Sequence, residues 1–86
     1  MNILNMEIRI RNSAIKDLKR ISPDLRKKIH TKIISLKDFP DVTNVKKLTN
    51  FEPAYRLRIG DYRILFDVLD DCIEIGRILH RKESYK

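Results

Sequence analysis

The segment Ala54-Tyr55-Arg56-Leu57-Arg58-Ile59-Gly60-Asp61-Tyr62-Arg63-Ile64-Leu65-Phe66 alternates apolar and polar side chains on both sides of Gly60-Asp61. Alternation of that kind is the signature of strands with one buried face, and a Gly-containing dipeptide between two such runs reads as a tight hairpin turn. A two-residue loop sets Ile59 opposite Tyr62, Leu57 opposite Ile64 and Tyr55 opposite Phe66, so all six share the core face. The other face then carries Arg58 directly across from Arg63, with Arg56 two residues along. Like charges opposed across strands are destabilising by a few tenths of a kcal/mol or somewhat more. Because outer sheet faces are commonly polar for solubility alone, the hairpin by itself leaves both a solubilising and a binding role open for these arginines.

The rest of the chain supplies a layer to cover the apolar face. Met6, Ile8 and Ile10 alternate with Glu7, Arg9 and Arg11, which predicts a first strand from about Ile3 to Ile10. Asn12-Ser13 offers a helix cap, and Ala14, Ile15, Leu18 and Ile21 recur at helical spacing through a short first helix. Ser22-Pro23-Asp24 breaks and restarts it, since Ser caps, Pro suits the first helical position and Asp favours the positive end. Leu25, Ile29, Ile33 and Leu36 form the apolar stripe of a second, longer helix, ended by Phe39-Pro40. Asp41 to Pro53 reads as a loop with a short apolar element around Val45 to Leu48, and Lys46 and Lys47 are its basic feature. After Phe66 the alternation continues to Asp70-Asp71, a second turn, and into a last strand, Cys72 to His80.

If that second turn is also tight, Asp67 faces Glu74, Ile78 lies across from Arg63, and His80 looks at the arginines. Arg77 then lands on the apolar parity, which a frayed strand end or a bulge would explain. The expected architecture is an α+β domain spanning residues 1–86: an N-terminal strand, a two-helix hairpin, then a three-stranded antiparallel meander, with the helices packed on one sheet face. The opposite face stays open, and Arg56, Arg58, Arg63 and His80 point to it, with the tail Arg81-Lys82-Glu83-Ser84-Tyr85-Lys86 emerging beside it.

Composition narrows the function. The 86 residues fit one modest core, and 19 Lys and Arg against 12 Asp and Glu give a net charge of +7. Such an excess on a small body favours a polyanionic partner such as nucleic acid. Cys72 is the sole cysteine, its neighbours are apolar, and a packed core thiol in a reducing cytoplasm is expected. No apolar run approaches the roughly 20 residues of a membrane span, and Met1 to Met6 lacks the plan of a secretory signal. Two histidines, His30 and His80, and one cysteine offer no metal-ligand spacing, and two glycines make no phosphate-cradling loop.

The run Tyr55-Arg56-Leu57-Arg58-Ile59-Gly60-Asp61-Tyr62-Arg63, followed by His80-Arg81-Lys82-Glu83-Ser84-Tyr85, resembles the RelE branch of the RelE/ParE toxins, and the element order βααβββ agrees. The resemblance implies the toxin of a type II toxin–antitoxin module that cleaves messenger RNA in the ribosomal decoding site with no metal or cofactor. It also implies a cognate antitoxin, the ribosome as partner, and operator DNA reached only through the antitoxin. Carried onto this chain, the family's paired basic positions fall on Arg56 and Arg58, its transition-state arginine on Arg63, its late arginine on Arg81 and its C-terminal tyrosine on Tyr85. Lys46, Lys47 and Lys82 complete the expected RNA-binding set. The chain departs from some members in a shorter hairpin loop, a shorter spacing from Arg81 to Tyr85, and an end at Lys86 without their terminal helix.

Metal-free cleavage inside an RNA chain needs a base for the 2′-hydroxyl, stabilisation of a dianionic five-coordinate phosphorus, and a proton for the leaving 5′-oxygen. Arginine, with a pKa above 12, serves for charge stabilisation and not as a base. Tyr85 and His80 are the alternatives for the proton carrier: neighbouring cations favour a phenolate, and an imidazole titrates near neutrality. Two other functions fit the same fold: a ParE-like DNA gyrase inhibitor, and a degenerate member that binds RNA or antitoxin without catalysis.

Overall fold

The computed structural model describes residues 7–48 and 54–84. It contains β1 (Glu7–Ile10), α1 (Asn12–Lys19), α2 (Pro23–Ser35) extended by a 3-10 turn (Leu36–Asp38), β2 (Val45–Lys47), β3 (Tyr55–Ile59), β4 (Tyr62–Leu69), β5 (Cys72–His80) and a short α3 (Arg81–Ser84). The strands make one sheet in the order β1-β5-β4-β3-β2, with β1 parallel to β5 and every other pair antiparallel. The α+β class with helices against a largely antiparallel sheet is as the sequence predicts. The sheet gains one strand, because Val45–Lys47, expected as part of a loop, pairs along β3 as an edge strand. Arg81 to Ser84, expected as an emerging tail, turns into α3 and packs against β4 and β5.

The hairpin forms in the expected register, with Ile59 opposite Tyr62, Leu57 opposite Ile64, Tyr55 opposite Phe66, and Arg58 opposite Arg63. Gly60 takes the left-handed φ of +54° that a glycine in the first loop position of a type II′ hairpin supplies without steric cost. On the covered face, Leu57, Ile64, Phe66, Ile73, Ile75 and Ile78 meet Ala14, Ile21, Ile29, Ile33 and Leu36 from the helical layer. Ile29, Ile33 and Leu36 are fully buried, each removal from water contributing roughly 1.5–3 kcal/mol. Ile15, counted with the apolar stripe of α1, is instead exposed, since the short helix turns Ala14 and Asp17 inward. Phe39, Tyr55 and Phe66 close one end of the core, with Tyr55 stacked on Phe66 at 5.4 Å between centroids and Phe39 edge-on to Tyr55 at 5.2 Å. Cys72 is a buried free thiol.

Helix α1 departs from the expected capping in two ways. The helix starts at Asn12, with Arg11 in the cap position and no side-chain cap. Ser13, expected to cap, sends its hydroxyl to the carbonyl of Gly76 at 2.7 Å. Between α1 and α2, Ser22 occupies the cap position and Pro23 the first helical one, while Arg26 donates to the carbonyls of Leu18 and Ile21 at 3.0 and 2.9 Å. That guanidinium thereby adds a second donor to the Leu18 carbonyl, which already takes the N–H of Ile21, and pairs the Ile21 carbonyl just past the end of α1.

Candidate functional site

The outer face of the sheet is built by strand pairing. Residues directly opposite each other share a face, so Arg58 and Arg63 stand together, and the antiparallel edge strand adds Lys46 opposite Arg56. On the far side of β4, Leu79 lies across from Arg63 and Arg77 across from Leu65. Among the described residues, none of Lys46, Arg56, Arg58 or Arg63 is in a salt bridge. The turn end of this face therefore concentrates positive charge, while its acids, Asp67 and Glu74, stand opposite each other farther along β4 and β5.

Arg63 is the unusual member. Although it lies on the outer face by register, it is only 5% exposed, where the sequence pattern had it pointing to solvent. Its Nη1 donates to the carbonyls of Gly60 at 3.1 Å and Tyr62 at 3.2 Å, so the guanidinium curls over the turn that precedes it. Its Nε is buried and has no hydrogen-bond partner among the described residues. A buried cation with carbonyl dipoles but no counter-charge is a group whose solvation is incomplete, and an incoming anion would complete it.

Arg81 reaches the same turn from the other end of the chain. As the first residue of α3 it donates its backbone N–H to the carbonyl of Asp61 at 2.6 Å, and its guanidinium lies 3.8 Å from Asp61 Oδ1. The turn between Arg58 and Arg63 thus anchors the residue that follows β5, which brings Arg58, Arg63 and Arg81 to one corner of the sheet. Lys82 is exposed beside it. Tyr85 lies outside the described residues.

Two expected members stand elsewhere. Lys47 is paired with Tyr55, so it belongs to the helix-side parity, while Lys46 keeps the arginine side. His80 is also moved. The β4–β5 register holds as expected from Leu69 opposite Cys72 to Asp67 opposite Glu74, then shifts by one residue between Leu65 and Phe66. Beyond this bulge Ile78 faces Ile64 and not Arg63, and His80 faces Tyr62. The two rings meet edge to face at 5.3 Å, and Nδ1 of His80 accepts the backbone N–H of Lys82 at 3.2 Å. His80 therefore sits on the helix-side face, where Tyr62 also walls a hollow of about 170 Å3 with Asp17, Arg20, Ile21 and Ile78.

The bulge also resolves the parity of Arg77, whose guanidinium grips Asp17 through Nε to Oδ2 at 2.8 Å and Nη2 to Oδ1 at 3.1 Å. Asp17 is 8% exposed and also accepts the backbone N–H of Ile78 at 2.8 Å. Burial disfavours its charge, but the hydrogen bonds from Arg77 and Ile78 outweigh it and hold the carboxyl below its ordinary pKa. Sequence reasoning missed Asp17 altogether. The one available signal was Arg77 itself, a charged side chain at a position where simple alternation expects an apolar one.

Comparison with known proteins agrees with this architecture. Residues 8–85 match the family described as the ParE toxin of type II toxin–antitoxin systems. Toxin RelE3 of Methanocaldococcus jannaschii is 32% identical over 93% of this chain and 96% of its own length. The structure resembles that of the RelB-RelE antitoxin–toxin complex from Methanococcus jannaschii, with a TM-score of 0.76 and 31% identity over 90% of this chain and 94% of that one. It also resembles the RelBE2 toxin–antitoxin complex of Mycobacterium tuberculosis, with a TM-score of 0.77 and 25% identity over 91% of this chain and all of that one. With its hairpin register, its layer order and these likenesses taken together, the chain belongs to the RelE/ParE superfamily of type II toxins, on its RelE side.

Proposed function

We propose that this toxin is a metal-independent endoribonuclease that cuts messenger RNA in the decoding site of the ribosome. The observation that carries the reading is Arg63: buried, opposite Arg58, without a carboxylate among the described residues, and with an Nε that lacks an acceptor. A phosphate supplies what that guanidinium lacks, and a phosphorane dianion supplies more of it, so binding there strengthens as the reaction proceeds. The ParE-like alternative is disfavoured by the retained cluster of Arg58, Arg63, Arg81 and Tyr85 and by the likeness to a toxin named RelE3.

In the proposed step the 2′-oxygen attacks the adjacent phosphorus, its proton passing to a base. The bond from phosphorus to the 5′-oxygen breaks, and that oxygen takes up a proton from solvent water. Products are a 2′,3′-cyclic phosphate and a 5′-hydroxyl. Arg58 and Arg63 hold the non-bridging oxygens, and Arg81 stabilises the leaving oxygen. Tyr85 is assigned as the base, because the register shift takes His80 to the face away from Arg58 and Arg63. Arg56, Lys46 and Lys82 bind flanking phosphates. The chain's own proton carriers are few, so the ribosome must help by bending the message toward in-line attack. A cognate antitoxin covers the basic face and neutralises it by occlusion, and operator DNA is reached through that antitoxin.

Mapping message ends on translating ribosomes after induction tests the reading. Internal cuts bearing cyclic phosphate and 5′-hydroxyl ends, absent with Arg63→Ala, are expected. Recovery of 5′-phosphate ends, or equally fast cutting of naked RNA, would overturn the chemistry or the ribosome dependence respectively. Growth arrest that survives Arg63→Ala would point to a gyrase blocker.

A further inference from the structure

We infer that Asp17, together with Ser13 on the same face of α1, is a positioning residue for the cationic corner: it sets the β5 bulge and so the direction in which the chain delivers Arg81. This rests on the proposed cleavage activity but on a separate set of contacts.

Strand β1 ends before β5 does. That strand covers one edge of β5 only as far as Ile75, whose carbonyl takes the N–H of Arg11 at 3.0 Å. Past that point β5 has backbone groups with no strand beside them, and buried backbone groups must be paired. Helix α1 takes over. Ser13 donates to the carbonyl of Gly76 at 2.7 Å, and Asp17 accepts from the N–H of Ile78 at 2.8 Å. Residues four apart lie one turn above each other on a helix, so α1 continues the edge pairing that β1 abandons. Arg77 between these two contacts is held by both oxygens of the same carboxylate.

These contacts fall on the residues where β5 slips by one against β4. Gly76 is not what permits the slip: a Cβ built there would meet the carbonyl oxygen of Leu65 at 3.6 Å, an ordinary contact, and its φ is not left-handed. The bulge is held from outside, by the helix. Its consequence reaches the site, because Arg81 follows Arg77 by only four positions. With the slip, Ile78 is buried against Ile64, His80 meets Tyr62, and Arg81 arrives at the carbonyl of Asp61. Without it, every residue beyond Ile75 exchanges faces, Ile78 moves to the arginine side, and Arg81 is displaced from the turn. A displacement of about 1 Å at a reacting centre is worth roughly a hundredfold in rate.

The test uses the full-length toxin with ribosomes programmed with a defined message, for Asp17→Ala, Asp17→Asn and Ser13→Ala. Ile33→Val serves as a control that weakens the core without touching the clamp. Asp17→Ala is expected to lower kcat by roughly a hundredfold with KM for the ribosome unchanged. Asp17→Asn, which keeps an acceptor for Ile78, should recover part of that loss. In parallel, the nuclear Overhauser contact between the Tyr62 and His80 rings should weaken in Asp17→Ala and persist in Ile33→Val. A folded Asp17→Asn or Asp17→Ala that cuts at the wild-type rate overturns the inference, as does a loss no larger than that of an equally destabilised Ile33→Val. A wild-type chain that cuts nothing overturns the proposed function instead, and the inference is then decided by the ring contact, whose retention at full strength in Asp17→Ala sinks it.

Discussion

Arg63 and Arg77 lie on neighbouring strands, only a few ladder positions apart, and the protein treats them in opposite ways. Arg77 is bound by both oxygens of Asp17, and its side chain keeps 46% exposure. Arg63 is buried, rests on two carbonyls, and has a nitrogen with no acceptor among the described residues. A paired guanidinium stabilises the fold, and its removal leaves a buried carboxylate uncompensated. An unpaired one is costly to the free protein, and its charge is available to a ligand. The contrast separates the arginine that builds the sheet from the arginine whose Nε lacks an acceptor among the described residues.

The sharpest way to break this contrast is Arg63→Ala. Loss of a donor aimed at developing negative charge is expected to cut the cleavage rate by about a hundred- to a thousandfold. Thermal unfolding should meanwhile show a melting temperature equal to or above wild type. A large fall in stability would mean that Arg63 is structural after all. Arg77→Ala should do the reverse in kind, lowering the free energy of unfolding by about 3 kcal/mol in a denaturant titration, because Asp17 is left with one backbone donor.

Smaller effects are expected at Lys46 and in the pH dependence of Asp17. Lys46→Ala should reduce affinity for the RNA only a few fold and flatten the salt dependence of binding by up to about one ion, measured by titration at several ionic strengths. The smallest effect is in pH. Because the folded pKa of Asp17 is depressed, its stabilisation is present above the unfolded carboxylate value, about 3.9, and disappears as pH falls through the folded value. The stability gap between wild type and Asp17→Asn, read from unfolding curves at neutral pH and near pH 3, should therefore narrow in acid. A gap that stays constant would show that the charge of Asp17 contributes nothing.

How far the sequence could be read depended on the distance over which each feature is decided. The Arg58–Arg63 pairing was legible because a two-residue turn with a glycine leaves one register, and the strict alternation of Tyr55 to Phe66 then assigns every side chain a face. The stripe Leu25, Ile29, Ile33 and Leu36 was legible from its spacing: the last three are fully buried and Leu25 packs half-buried against them. The strand at Val45–Lys47 was not, since a three-residue edge strand joined through a long connection has neither a turn to fix its register nor enough length to show a period.

Alternation and turn chemistry in the chain alone determined the hairpin, the helical stripe and the two arginines that share a face, because those depend on neighbours a few residues away. Tertiary structure decided the burial of Arg63, the face taken by His80 and the partner of Arg77. Each of these depends on backbone groups that β1 leaves open and that Ser13 and Asp17 fill from more than sixty positions away or nearly so, or on a guanidinium folding back over its own turn. No local pattern records such contacts, because they exist only once the layers have closed.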